Sequence, residues 1–150
     1  MKYVLLMFVV LIASCTVSIA QCDKKFKLKT ERVFQVKEDG SEGEDVPLNA
    51  EILITKDSII ITITLPDGNT AQIMGKHIEK ICKMNADYSE GTIECKTDAE
   101  MSGGSGESKQ SKMSFTIECK AGKMKIFGLP EDQPAEKICF QIKEKEEVKN

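Results

Sequence analysis

Residues 50–74 constrain the fold of this chain more tightly than any other stretch. Ala50, Ile52 and Ile54 alternate with Glu51, Leu53 and Thr55; Lys56-Asp57 follows, and then Ser58-Ile59-Ile60-Ile61-Thr62-Ile63-Thr64. β-branched residues at a period of two are the mark of strands. A two-residue turn at Lys56-Asp57 sets Ile54 opposite Ile59, Ile52 opposite Ile61 and Ala50 opposite Ile63. On the other face it pairs Leu53 with Ile60 and Glu51 with Thr62. Sides agree along the whole ladder, and a slip of one residue would destroy that agreement.

The next turn supports the same register. Leu65-Pro66-Asp67-Gly68-Asn69 places Pro and Asp inside a type I turn, with Gly at the left-handed position. Ile63 then meets Ala71, Ile61 meets Ile73 and Ile60 meets Met74, so residues 50–74 read as a three-stranded meander. A further hairpin turns at Ala121-Gly122 and pairs Cys119 with Met124 and Ile117 with Ile126, with one wet side.

Three weaker strands flank these, at 26–36, 92–97 and 137–143. Residues 143–147 read as a solvated charged tail. Residues 38–45 and 99–112 read as Gly-, Ser- and acid-rich loops, the second carrying a flexible Ser-Gly-Gly-Ser-Gly connector. Residues 73–82 carry apolar side chains at helical spacing, but Gly75 and the β-rich setting favour a strand that bends there. Short strands in local hairpins predict an all-β fold: a single antiparallel sandwich or an up-and-down, lipocalin-like barrel of about eight strands.

The first residues pair one charge, Lys2, with an apolar run over 3–13, shorter than the about 20 residues that span a bilayer. A polar stretch then ends in Ser18-Ile19-Ala20. This is the pattern of a signal peptide, 1–20, cut after Ala20, leaving 21–150 as one β domain in a secreted or periplasmic setting. Ile12-Ala13-Ser14-Cys15 offers the alternative of a lipid anchor through Cys15.

The loss of Lys2 takes the net charge from −3 to −4. Such a chain is not built to neutralise phosphates, so neither nucleic acid nor a membrane span is expected, and an unknown ligand or an extracellular protein remains as partner. Oligomeric state is not readable.

Of the six cysteines, Cys22, Cys82, Cys95, Cys119 and Cys139 follow the cut. Exported cysteines usually pair, and an odd count leaves one over. Cys82 and Cys95 flank a turn-rich segment and are the expected disulfide. Cys119 with Cys139 fits less well, because the first lies on an apolar face and the second beside Lys137 and Gln141.

No catalytic, cofactor-binding or metal-binding residue is expected. The single histidine, His77, stands five residues from Cys82, on opposite faces of a regular strand, and reads as a boundary residue. No Cys-x-x-Cys spacing suits zinc. The acids of 38–45 lack the ligand order of an EF-hand, and the glycines of 103–106 lack a phosphate-loop lysine.

The runs Glu51-Ile52-Leu53-Ile54-Thr55-Lys56-Asp57-Ser58-Ile59-Ile60-Ile61 and Phe115-Thr116-Ile117-Glu118-Cys119-Lys120-Ala121-Gly122-Lys123-Met124-Lys125-Ile126, with the Ala20-Gln21 junction, resemble small exported all-β proteins of Bacteroidota-type bacteria. That resemblance implies export and a β fold and names no activity. The cysteine content departs from it and suits a secreted animal protein.

The functional expectation is a non-enzymatic extracytoplasmic β-domain that binds an apolar small molecule or an envelope or matrix component. Its basis is Leu53 and Ile60 beside Ile52 and Ile61, which makes the central meander apolar on both faces. The alternatives are a structural or cation-dependent interaction protein contacting partners through its acidic loops, and, last, a carboxylate hydrolase.

Overall fold

A computed structural model describes residues 20–103 and 108–149. The expected signal peptide and Cys15 lie outside the described residues, apart from Ala20. One 3₁₀ turn, Ala20–Asp23, precedes nine strands: β1 Phe26–Val36, β2 Glu42–Asp45, β3 Asn49–Ile54, β4 Ser58–Thr64, β5 Thr70–Met84, β6 Gly91–Ser102, β7 Ser108–Lys120, β8 Lys123–Pro130 and β9 Ile138–Glu147.

From β3 to β9 each strand pairs antiparallel with the next, and β1 pairs with both β3 and β9. The sheet therefore closes into an eight-stranded up-and-down barrel, with β2 added on β1. Closure rather than a sandwich follows from β1, whose full length lies against β9 while its first residues also pair with β3.

The hairpin registers are those the alternation predicts. Ile54 faces Ile59, Leu53 faces Ile60, Ile52 faces Ile61 and Ala50 faces Ile63. Ile60 then faces Met74, Ile61 faces Ile73 and Ile63 faces Ala71. At the other hairpin Cys119 faces Met124 and Ile117 faces Ile126. Ala121 and Gly122 both take positive φ, 50° and 75°, as a two-residue turn matched to strand twist requires.

Residues 73–82 are strand, within β5, yet Gly75 is not where it departs from regularity. A Cβ at Gly75 would stand 2.9 Å from Thr97 Oγ1 and 3.1 Å from Ile59 Cγ2, so that glycine serves close packing. The irregularity is a bulge between His77 and Glu79. The extra residue, Ile78, reverses the alternation. Gly75 and His77 face inward before it and Lys80, Cys82 and Met84 after it, opposite Ala99, Thr97, Cys95, Ile93 and Gly91 respectively. The apparent helical spacing is a period of two with one residue inserted.

Three expected loops or tails prove to be strands in part. Residues 99–102 and 108–112 continue β6 and β7, because each polar strand end is held by the ladder to its neighbour rather than by burial. Residues 42–45 form β2, drawn onto β1 by Arg32, which bonds Glu42 and Asp45 at 2.6 Å each. Residues 143–147 are no tail: they are the second half of β9, facing residues 26–29 of β1.

The interior is packed with the chain's own side chains. Leu28, Ile52, Ile61 and Ile126 are fully buried, with Phe26, Phe115, Ile117, Met113 and Met124 among them. Among the described residues Thr97 is the buried polar exception, and its hydroxyl donates to the Met113 carbonyl at 3.0 Å. A second cluster of Phe34, Val36 and Cys139, with Phe127 against it, lies apart from this core. The Arg32 guanidinium and Lys125 ammonium sit 4.6 and 5.6 Å from the Phe34 ring centre, forming its roof.

One end of the wall splays. The β4 register stops at Ser58 opposite Lys76, and the β8 register stops at Lys125 opposite Gln141. The hairpin loop after β5 and the 3₁₀ turn close that end. Tyr88, 2% exposed, lies edge-on to Phe26 at 4.7 Å, and Lys145 donates to the Tyr88 carbonyl at 3.1 Å. Lys80 donates to the Cys22 carbonyl at 2.6 Å.

Burial, with Asp23 and Glu147 nearby, pushes the Tyr88 phenol up to about 12 against a backbone hydrogen bond with Lys24. The folded chain thus keeps a proton that the unfolded chain releases near pH 10. Stability is expected to be level with respect to this group below about pH 10 and to fall as pH rises toward 12. Phenolate absorbance followed beside denaturant melts checks it; Tyr88 is the one tyrosine in residues 21–150. Phenolate appearing near pH 10 in the folded protein would refute it.

Candidate functional site

The expected bridge between Cys82 and Cys95 does not form. Cys82 is bonded to Cys22, with their Cα atoms 6.2 Å apart, and Cys95 is a buried free thiol. Register explains this. Cys82 faces Ile93 and Cys95 faces Lys80, so the two cysteines are diagonal neighbours, a spacing of roughly 7–8 Å, beyond a disulfide's reach.

Cys119 and Cys139 are likewise free and buried, in the separate interior and second clusters. The chain therefore carries one disulfide and three free thiols among the described residues, where one leftover thiol was expected. Burial pushes the Cys95 and Cys139 thiols up to about 11 and also raises Cys119, which keeps them protonated and unreactive near neutral pH. The disulfide is consistent with an oxidising, extracytoplasmic compartment.

His77 shares the inner face with Cys82, because the bulge cancels their odd spacing. Both ring nitrogens are shielded, and among the described residues neither makes a well-aligned hydrogen bond. Burial, and then Lys80, lowers its pKa, against smaller opposing effects from the Thr55 backbone and Asp57. Cys82, being oxidised, offers no thiol for an imidazole to activate.

The acids of 38–45 are largely engaged within the protein. Glu42 accepts from Arg32 and, at 3.5 Å, from Lys125, and the Arg32 hydrogen bond holds its carboxyl below the usual range. Asp39 accepts from the Ser41 hydroxyl and amide. Among the described residues no group of three His, Cys, Asp or Glu side chains is arranged to hold a metal ion. No helix among them is long and apolar enough to cross a membrane.

What remains is on the outside of the wall. Leu53, Ile60 and Met74 form a row across β3, β4 and β5, each directly facing the next. They point away from the core because Ile52, Ile54, Ile59 and Ile61 take the inner positions of the same strands. Met74 is 47% exposed. The row leads into an open groove of about 660 Å³ whose walls include Met74, Lys76, Asp98, Glu100, Gln110 and Lys112. Across it, Lys76, Asp98 and Lys112 stand in one cross-strand line. The arrangement offers an apolar step beside a floor of alternating charge.

The expectation of apolar residues on both faces of the meander pointed to Leu53 and Ile60. The charged half of the groove carried no such signal: Glu100 and Lys112 lie in the segment that reads as loop, and Lys76 and Asp98 join them only through the ladder of β5, β6 and β7. Comparison with protein-family models, curated proteins and solved structures finds no match to this chain.

Proposed function

We propose that this chain is a non-enzymatic extracytoplasmic β-domain that binds an envelope or matrix component against the outside of its barrel. The observation that carries the reading is the outward row Leu53, Ile60 and Met74 opening onto a charged groove, on a barrel whose interior is packed with its own side chains. An enclosed small molecule would need that interior space. A cation-dependent contact through residues 38–45 draws less support, because Arg32 and Lys125 already face Glu42 and Asp45.

Export would follow from cleavage of 1–20, into the medium or a periplasm. This leaves Cys22 close to the new N-terminus and still bonded to Cys82. A lipid at Cys15 is the alternative and would tether the same domain to a membrane surface.

The test is a photo-reactive side chain placed at Met74 or at Glu118 in the protein expressed in its own source, followed by native mass spectrometry. A covalent adduct is expected from position 74 and not from 118, with no small molecule retained. Equal adducts at both positions, or a stoichiometric apolar ligand carried through purification, would refute the proposal.

A further inference from the structure

We infer that the lower edge of β5, residues 78–84, pairs antiparallel with the same edge of a second copy, about a two-fold axis through Ile81. His77 is the last β5 residue whose backbone is tied to the β4 side, its amide donating to the Asp57 carbonyl at 2.9 Å; farther on, the Lys80 side chain reaches the Lys56 carbonyl at 3.4 Å and leaves the strand's backbone edge open. Beyond it, among the described residues, β5 is laddered to β6 alone.

An open strand edge offers unpaired backbone donors and acceptors and is a template for another strand. This one is also greasy. Ile78 and Ile81, 61% and 43% exposed, are two of the three exposed large hydrophobic residues among those described. The 3₁₀ turn is attached through Cys82, on the inner face, and so braces this strand from within.

The order of side chains selects the occupant. Glu79, Ile81 and Lys83 share the outer face of β5, opposite Lys96, Glu94 and Thr92. Antiparallel pairing centred on Ile81 sets Glu79 against the second copy's Lys83, Lys83 against the second copy's Glu79, and the two Ile81 side chains against each other. A register centred two residues away loses both charge pairs. The edge is thus complementary to itself, the requirement for an isologous dimer, and opposite charges facing across strands favour that register. This edge is separate from the row of Leu53, Ile60 and Met74, so the dimer does not depend on the proposed function.

Sedimentation equilibrium of the protein at high micromolar concentration is expected to show a doubled mass. Lys83→Glu sets carboxylates against each other twice and is expected to weaken the dimer about tenfold or more. Adding Glu79→Lys to it reverses both pairs and is expected to restore association. Ile81→Cys is expected to give a disulfide-linked dimer on mild oxidation. A single-copy mass for the unaltered protein at every concentration would overturn the inference. So would a double variant that associates no better than Lys83→Glu while both melt like the parent. Should Lys83→Glu fail to fold, the Ile81→Cys cross-link decides: its absence under oxidation counts against the dimer.

Discussion

Replacement of Cys22 and Cys82 by serine is expected to lower stability by about 4 kcal/mol, with a drop in melting temperature of about 12 °C. The bond spans a sequence separation of 60 residues, and its loss frees the unfolded chain to a degree that grows with the logarithm of that span. The folded state suffers as well. Cys22 is only 6% exposed and belongs to the interior cluster, and the 3₁₀ turn that it anchors presents the carbonyl bonded by Lys80. Denaturant melts with and without reductant check the expectation. The oxidised parent should stand apart from the reduced parent and from the double serine variant, and those two should nearly coincide. A difference below about 1 kcal/mol would show that the cross-link adds little and that the packing of the splayed end holds without it.

Gly91→Ala is expected to cost about 4 kcal/mol, from two causes of similar size. Gly91 has φ +126°, a conformation that costs a residue with a side chain about 1–3 kcal/mol. Its Cβ would also collide with the Lys83 carbonyl and lie 2.7 Å from Met84 Cα. Both are backbone atoms of the neighbouring strand, which would have to move, and such overpacking typically costs about 1–3 kcal/mol more. Gly122 separates the causes. It also has positive φ, at 75°, but a Cβ there meets nothing within 4 Å. Gly122→Ala should therefore cost only about 1 kcal/mol. Melts of the two variants measured together test the account: equal losses would mean that backbone conformation alone matters and that the strands can part to admit a methyl group.

The hairpins were legible for a specific reason. In residues 50–74 each turn is short, so partners lie within a few residues of one another, and period-two alternation leaves one register in which faces agree. The same holds for 113–126. The bulge at Ile78 was hidden because a single inserted residue turns strand alternation into something close to helical spacing. The Cys22–Cys82 bond was hidden because it joins an N-terminal turn to a strand 60 residues on, while local proximity favoured Cys95. The candidate surface was half visible: Leu53 and Ile60 announce a second apolar face, whereas Asp98 and Lys112 acquire meaning only when β6 and β7 are seen to continue past the expected loop boundary.

By itself the sequence determined the all-β class, the pairing of strands close in the chain and the face each of their side chains takes. Those properties follow from the alternation of side chains and from turn chemistry, which act over a few residues. Tertiary structure alone decided that β1 meets β9, that the charged segment 143–147 is half of a strand, which cysteines bond, and which apolar residues are left outside. Each of these depends on neighbours brought together by closing a chain of more than a hundred residues, and packing between such distant segments leaves no periodic trace in either one.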